Sequence, residues 1–338
     1  CESWLDWLAI IGTPEHHWSN YVMGSVHYTK IQHDIKLGFN LYVSSSIPPA
    51  SGASSSSALA ISAMYAIILS NNLDLNKDEI VVNTAKGEWF CGTRGGRMDH
   101  ATMMCAEKGG VLRLTFNPFT SENIELPSTI KNCKFSTLFT HPSQKGAETL
   151  LAFNELSLVA REIVPRILNE NYTEQWGEME KKLPQTLTIK QVCEKWPHDG
   201  NKFQEMYPDL FSNPNLTIRV ADRFRFAMRE LERSRNMQDL LKNPNCKPES
   251  IGEIMDEAWV DAGELYGIRT QLMDEIANRV RLVPGVLGIK VMGAGFGGNL
   301  LILSTNDVNL TASGFDSVSE CHPGKAASLV DINEIMPS

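Results

Sequence analysis

The sequence predicts an α+β fold in two lobes, and three observations carry that reading. Period-two alternation marks strand-like runs near 37–47, 111–116 and 287–304. Helical periodicity, with charges on the outer faces, covers about 146–170 and 218–281. Elements of both kinds alternate along the chain, and their mixture argues for two α+β lobes rather than a parallel doubly wound sheet. With 338 residues, 42% of them hydrophobic, the chain can bury one large core or two ordinary ones.

The first strand, 37–47, puts Phe39, Leu41 and Val43 on one face, and Pro48 and Pro49 end it. Small residues then lead into a helix whose apolar face carries Leu59, Ile61, Met64, Ile67 and Ile68 before Asn71 and Asn72 close it. Asn76, with Glu79 three residues on, has the spacing of a capping box and opens a helix running toward Trp89. After the small-residue turn 92–97 a further short helix follows. Gly109 and Gly110 then lead into a strand where Leu112, Leu114 and Phe116 alternate. The stretch 183–215 reads as a mixed surface excursion between the two long helical regions, and 287–304 as a strand, a glycine turn and a strand.

Composition excludes several classes of function. The net charge is −9, from 31 Lys and Arg against 40 Asp and Glu, with no long basic run to neutralise phosphates along a nucleic acid or an anionic membrane. No apolar stretch reaches the roughly 20 residues needed to span a bilayer, and the first residues lack the positive charge of a signal peptide. The 7 cysteines are irregularly spaced with no CxxC pair, which fits a reducing cytoplasm better than a disulfide framework or a zinc site.

Three segments carry chemistry. In Pro48 to Ser57, four consecutive serines stand where a helix begins and its amides are unpaired, an arrangement suited to an anion. Gly52 permits close backbone approach, the amides and hydroxyls can hold phosphate oxygens, and one hydroxyl can ligate Mg²⁺. The same residues also suit an N-cap packed with small side chains. There is no Walker-type phosphate loop. Gly293 to Gly298, between two apolar strands, lets backbone approach a ligand or another loop, or makes a tight hairpin turn. Thr93 to His100 sets Asp99 close to two glycines and two arginines, Arg94 and Arg97, as a base held ionised by cations with Glu88 as a metal ligand, or as a solvated loop with surface ion pairs.

Taken in order, strand, PxxxGxSSSS, helix, GTRGGRMD and GAGFGG, these segments resemble the GHMP small-molecule kinases. TPEHHWSNYVMG and CHPGKAASLVDI are similar to segments of the galactokinase branch. The resemblance implies a mixed α/β N-terminal lobe, residues 1–131, and a ferredoxin-like α+β C-terminal lobe, residues 132–338. It implies that Gly52, Ser54, Ser55 and Ser56 cradle ATP phosphates and that Ser55 and Glu88 bind Mg²⁺. Trp18 and Tyr21 match residues near the adenine, and Gly96 one lining the sugar pocket. Asp99 matches the acidic residue facing the sugar hydroxyl at C1, and the turn from Gly293 to Gly298 would support the phosphate loop. The implied activity is an ATP- and Mg²⁺-dependent kinase acting on the anomeric hydroxyl of galactose or a related aldose in the cytoplasm, with no nucleic-acid or membrane partner.

The sequence departs from the family in four places. The family's first motif, an Arg-x-Asn-Leu-Ile-Gly-Glu-His-x-Asp-Tyr-like segment, is absent and would lie upstream of Cys1; the chain is then either a portion of a longer one or a non-catalytic paralogue that binds sugar and ATP. Too little sequence separates Ser304 from Phe315 for the helix the family places there. Glu88 stands in a context one residue shorter than the family's. The stretch 146–151 lacks the Tyr and Arg that the branch carries near the sugar, which weakens the assignment to galactose in particular.

Overall fold

A computed structural model of the chain describes residues 3–116, 118–143, 146–168 and 176–330. The chain forms two compact units, each discontinuous in sequence. The helical unit comprises 13–46, 54–126 and the described residues from His322 onward; the sheet unit comprises the described residues up to Gly12, 47–53 and 127–321. The lobes expected from sequence, 1–131 and 132–338, were continuous, whereas the chain here enters the sheet unit twice before residue 127.

Helix α1 (Trp4–Ile11) belongs to the sheet unit, with Ser3 capping its first turn through Asp6 N–H. The helical unit then supplies α2 (Ser19–Gln32), α3 (Ser55–Asn71), α4 (Lys77–Gly87), a 3₁₀ turn (Glu88–Cys91) and α5 (Met98–Cys105). An antiparallel hairpin of β1 (Gly110–Phe116) and β2 (Phe119–Glu125) follows. Its core gathers Ile61, Met64 and Ile67 of α3, Ile80 and Val81 of α4, and Ala101, Met104 and Cys105 of α5. Leu112, Leu114 and Phe116 of β1 pack against it, the three positions whose alternation predicts the strand. Each fully buried Ile or Met contributes about 1.5–3 kcal/mol relative to exposure. The Asn76–Glu79 capping box forms as expected, and Asn72 ends α3 in the left-handed conformation.

Helices α2 and α4 cross on a pair of glycines. A Cβ at Gly24 would fall inside the Gly87 carbonyl oxygen, and one at Gly87 would stand 2.8 Å from Ser25 Cα. Only hydrogen at both positions lets the backbones approach this closely.

Two expected strands are absent. Residues 34–46 form no strand among the described residues, and the Asn71 side chain holds the Lys36 and Leu37 backbone instead. Ile35 and Phe39 reach the helical unit's core, but Val43, on the face the alternation would bury, is exposed along with Tyr42, so the alternation holds for only part of the run and no ladder forms. In the segment 321–332 only Cys321 lies in a strand; residues 322–330 are irregular, tied down where Ala327 N–H donates to the Met103 carbonyl (2.7 Å), and 331–332 lie outside the described residues.

In the sheet unit come α6 (Ser128–Lys131), β3 (Cys133–His141), α7 (Ala147–Leu158) and, after a π-helical stretch at Val159–Ile163, α8 (Val164–Leu168). Residues 169–170 of the expected helical stretch lie outside the described residues. The mixed excursion resolves into α9 (Trp176–Glu180), β4 (Thr186–Thr188), α10 (Ile189–Lys195), α11 (Gly200–Met206), α12 (Pro208–Phe211) and β5 (Thr217–Arg219), with β4 and β5 paired. Then follow α13 (Val220–Lys242), α14 (Pro248–Glu264), α15 (Gln271–Arg281), β6 (Val286–Val291), β7 (Gly298–Thr305) and β8 (Val318–Cys321).

The main sheet is antiparallel in the order β6-β7-β3-β8, the ferredoxin-like arrangement. Between β7 and β8 turns replace a helix, as the short spacing in the sequence requires. Helix α14 lies on β6 through a second glycine pair, Gly252 against Gly288. Behind the sheet, Leu300 and Ile302 of β7 meet Met273, Ala277 and Val280 of α15, all fully buried.

Candidate active site

In the helical unit the chemistry gathers around the N-termini of α3 and α5 and the turn after α4. The inward face of α3 runs through Ser57, Ala60, Ile61, Met64 and Ile67 at helical spacing, so Ser57 faces inward with the apolar residues. Its Oγ donates to Glu88 Oε1 at 3.3 Å. Ser57, and not the expected Ser55, is therefore the serine that meets Glu88. Ser54 stands at φ 55°, left-handed for a non-glycine residue, and makes no side-chain cap, so among the described residues no side chain caps the amides of the first turn of α3.

On the inward face of α5 stands His100, 1% exposed, with Nε2 3.7 Å from Glu88 Oε2. Burial pushes the imidazole down to about 4, so at neutral pH it is an uncharged ring beside a carboxylate and the contact is not an ion pair. Neither ring nitrogen has a hydrogen-bond partner among the described residues. The expected acid, Asp99, sits in the first turn of the same helix, half-buried, with no side-chain hydrogen bond or ion pair among the described residues. A carboxylate there is favoured by the helix dipole.

The two arginines do not act as sequence suggests. Arg97 donates to the Phe116 carbonyl (3.0 Å) and pairs with Asp78 (3.6 Å), so its charge is spent away from Asp99. Arg94 is buried, donates to the Trp89 carbonyl (2.9 Å) and lies over the Trp89 ring, while Trp89 Nε1 donates to the Gly95 carbonyl (3.2 Å). Together they staple the loop that delivers Gly96, which is exposed, and Asp99.

Trp18 and Tyr21, expected side by side near one ligand group, face different surroundings. Trp18 is 56% exposed at the start of α2. Tyr21 is half-buried, and its hydroxyl is pushed up by burial and by the charges of Cys91 and Glu88, which keeps it protonated as a donor.

In the sheet unit, the segment before α3 is shaped by the glycine turn between β6 and β7. Asn299 N–H donates to the Ser51 carbonyl (2.8 Å) and Ser143 N–H to the Ala50 carbonyl (2.9 Å). A Cβ at Gly52 (φ 77°) would stand 3.0 Å from the Met292 carbonyl oxygen, and one at Gly293 2.6 Å from that of Gly52. The turn thus supports residues 50–53 backbone to backbone, as the resemblance implies.

Ser57 and His100 escape the sequence reading, yet both were visible as polar positions on a buried helical face: 57 with 60, 61 and 64, and 100 with 101 and 104. Among the described residues no cluster of three or more His, Cys, Asp or Glu could hold a metal, and no helix is long and apolar enough to cross a membrane.

Residues 20–107 match the model of the GHMP kinases N terminal domain. The galactokinase of Lactobacillus helveticus is 27% identical over 291 residues, covering 85% of this chain and 66% of the relative. That of Dictyostelium discoideum is 24% identical over 340 residues, covering 88% and 67%. The chain spans about two thirds of the length of these curated relatives. A crystal structure of Lactococcus lactis galactokinase complexed with galactose shares the fold, with a TM-score of 0.71 and 23% identity, covering 94% of this chain and 78% of that one. The segment that matches the family model holds Ser57, Glu88, Asp99 and His100. The chain is thus similar to galactokinases over most of its length and shares the fold of one of them, with residues 20–107 matching the GHMP kinases N terminal domain.

Proposed function

We propose that the protein is an ATP-dependent sugar 1-kinase, transferring the γ-phosphoryl group of ATP to the anomeric hydroxyl of galactose or a related aldose. The observation that carries the reading is the grouping on adjoining elements of the helical unit: Ser57 against Glu88, with Asp99 open on α5 beside the histidine that faces Glu88. Likeness to galactokinases over most of the chain supports the sugar and the nucleotide.

In the reaction the sugar oxygen bonds to the γ-phosphorus while the bond to the β,γ-bridging oxygen breaks and ADP leaves. Little covalent work falls to the protein, so positioning and charge neutralisation dominate. Asp99 accepts or orients the proton of the attacking hydroxyl. The uncapped amides of α3, with Gly52, Ser54, Ser55 and Ser56, hold phosphate oxygens. Trp18 offers an exposed aromatic face to the adenine, and Gly96 lines the sugar site.

For Mg²⁺ the residues fit: Ser57 Oγ and Glu88 Oε1 are hard oxygen donors 3.3 Å apart, one of them a carboxylate, the set this ion takes together with water and phosphates. When bound, the ion would neutralise charge on the phosphates. Six cysteines, Cys91, Cys105, Cys133, Cys193, Cys246 and Cys321, are free, which supports a cytoplasmic setting.

The test is ATP consumption with Mg²⁺ over galactose, N-acetylgalactosamine, arabinose, glucuronate and glucose. Turnover with one of them, lowered about 10²–10⁴-fold in Asp99→Asn, is expected. ATP binding without turnover on any sugar of the panel would replace the enzyme with a sugar- and ATP-binding regulatory protein.

A further inference from the structure

His100 presents a puzzle that packing does not answer. A 1%-exposed imidazole leaves both ring nitrogens without a hydrogen-bond partner among the described residues, whereas buried polar groups are nearly always paired. Its Nε2 faces Glu88 Oε2 at 3.7 Å, too far for a hydrogen bond, and a movement of less than about 1 Å would make one. The other oxygen of the same carboxylate already takes the Ser57 hydroxyl. Glu88 is therefore flanked on one oxygen by α3 and on the other by α5.

We propose that His100 is a positioning residue: its Nε2–H donates to Glu88 Oε2 when Glu88 engages the metal nucleotide, holding the carboxylate in the orientation that binding requires. This rests on Ser57 and Glu88 being the metal side of the site. Because Asp99 precedes His100 on one helical turn, the same bond ties the acceptor-side carboxylate to the metal-side one, about 100° apart around α5. A ring orienting a ligand from outside the coordination sphere typically governs metal affinity by about 10–100-fold.

The experiment titrates Mn²⁺, as a paramagnetic probe, into the full chain with ATP, alongside thermal melting. His100→Leu, which fills the space without a donor, is expected to melt near the wild type but to bind Mn²⁺–ATP about tenfold or more weakly. His100→Gln, which restores an N–H donor, should recover most of that loss. If His100→Leu fails to fold, His100→Met carries the same test. Glu88→Gln is run in parallel. If it binds Mn²⁺–ATP like the wild type, the metal-site reading falls and the proposal with it. If Glu88→Gln weakens binding while the apolar variants do not, or if Gln is no better than Leu, the proposal alone is overturned.

Discussion

Serine 57 and glutamate 88 set a hydroxyl and a carboxylate oxygen 3.3 Å apart in a buried corner of the helical unit. Removing one contact to a charged group costs about 1.5–3 kcal/mol, roughly a ten- to hundredfold change in an equilibrium. We expect Ser57→Ala to raise the Mg²⁺ concentration needed for half-maximal turnover by that factor. Ser55→Ala, whose hydroxyl has no side-chain partner among the described residues, should shift it far less. A Mg²⁺ titration of both variants decides between them. The serine run was legible as an opening of α3, but which serine meets Glu88 was not, because a motif fixes composition and helical phase fixes direction. Ser57 shares its phase with Ile61 and Met64, and that places it. The contacts of Arg97 were not legible, since its partners Asp78 and Phe116 lie about twenty residues away on either side.

At the level of elements, the crossing of α2 and α4 depends on Gly24 and Gly87. In an ordinary helix Gly→Ala gains about 0.5–1 kcal/mol. Here the added methyl drives into the Gly87 carbonyl, and overpacking of this kind costs about 1–3 kcal/mol. Gly24→Ala should lower the melting temperature, while Gly38→Ala, with nothing within 4 Å of its Cβ, should not; calorimetry on both checks the argument. Elements with strong local signals were readable: the α4 cap, the β1 alternation and the β6–β7 turn all stand where residue spacing puts them. The run 37–47 was not, because alternation reports which side chains are buried and a strand also needs a partner along its edge. Phe39 meets the first condition and nothing among the described residues meets the second.

For the molecule as a whole, Asp222 in the sheet unit is an identifiable contributor to acid stability. Burial would raise the Asp222 carboxyl, but hydrogen bonds from Arg219 Nε (2.8 Å) and Gln185 Nε2 (3.1 Å), with the charges of Arg219 and Arg225, outweigh it and hold the group below the usual carboxylate range. A carboxyl depressed in the folded state stabilises the fold fully above its unfolded pKa of about 4, and that contribution is lost as pH falls through the folded value. Asp222→Asn should therefore melt lower than the wild type at neutral pH and lose less on acidification to about pH 3, as a pH series of melting curves would show. The α+β class was legible because it depends only on both periods being present along the chain. The division into units was not, because residues 47–53 are recruited by a turn far along the sequence.

That recruitment has a consequence in time. Residues 50–53 leave the ribosome about 240 residues before Met292 and Asn299, the groups that give them their shape, so the loop must wait while that stretch is made. A nascent chain released before β7 could build the α3–α4–α5 core and still lack the Asn299 N–H that anchors Ser51. The shape of residues 50–53 would then arise only after β7 is made, and a shorter chain would carry the serines without the backbone that braces the loop before them.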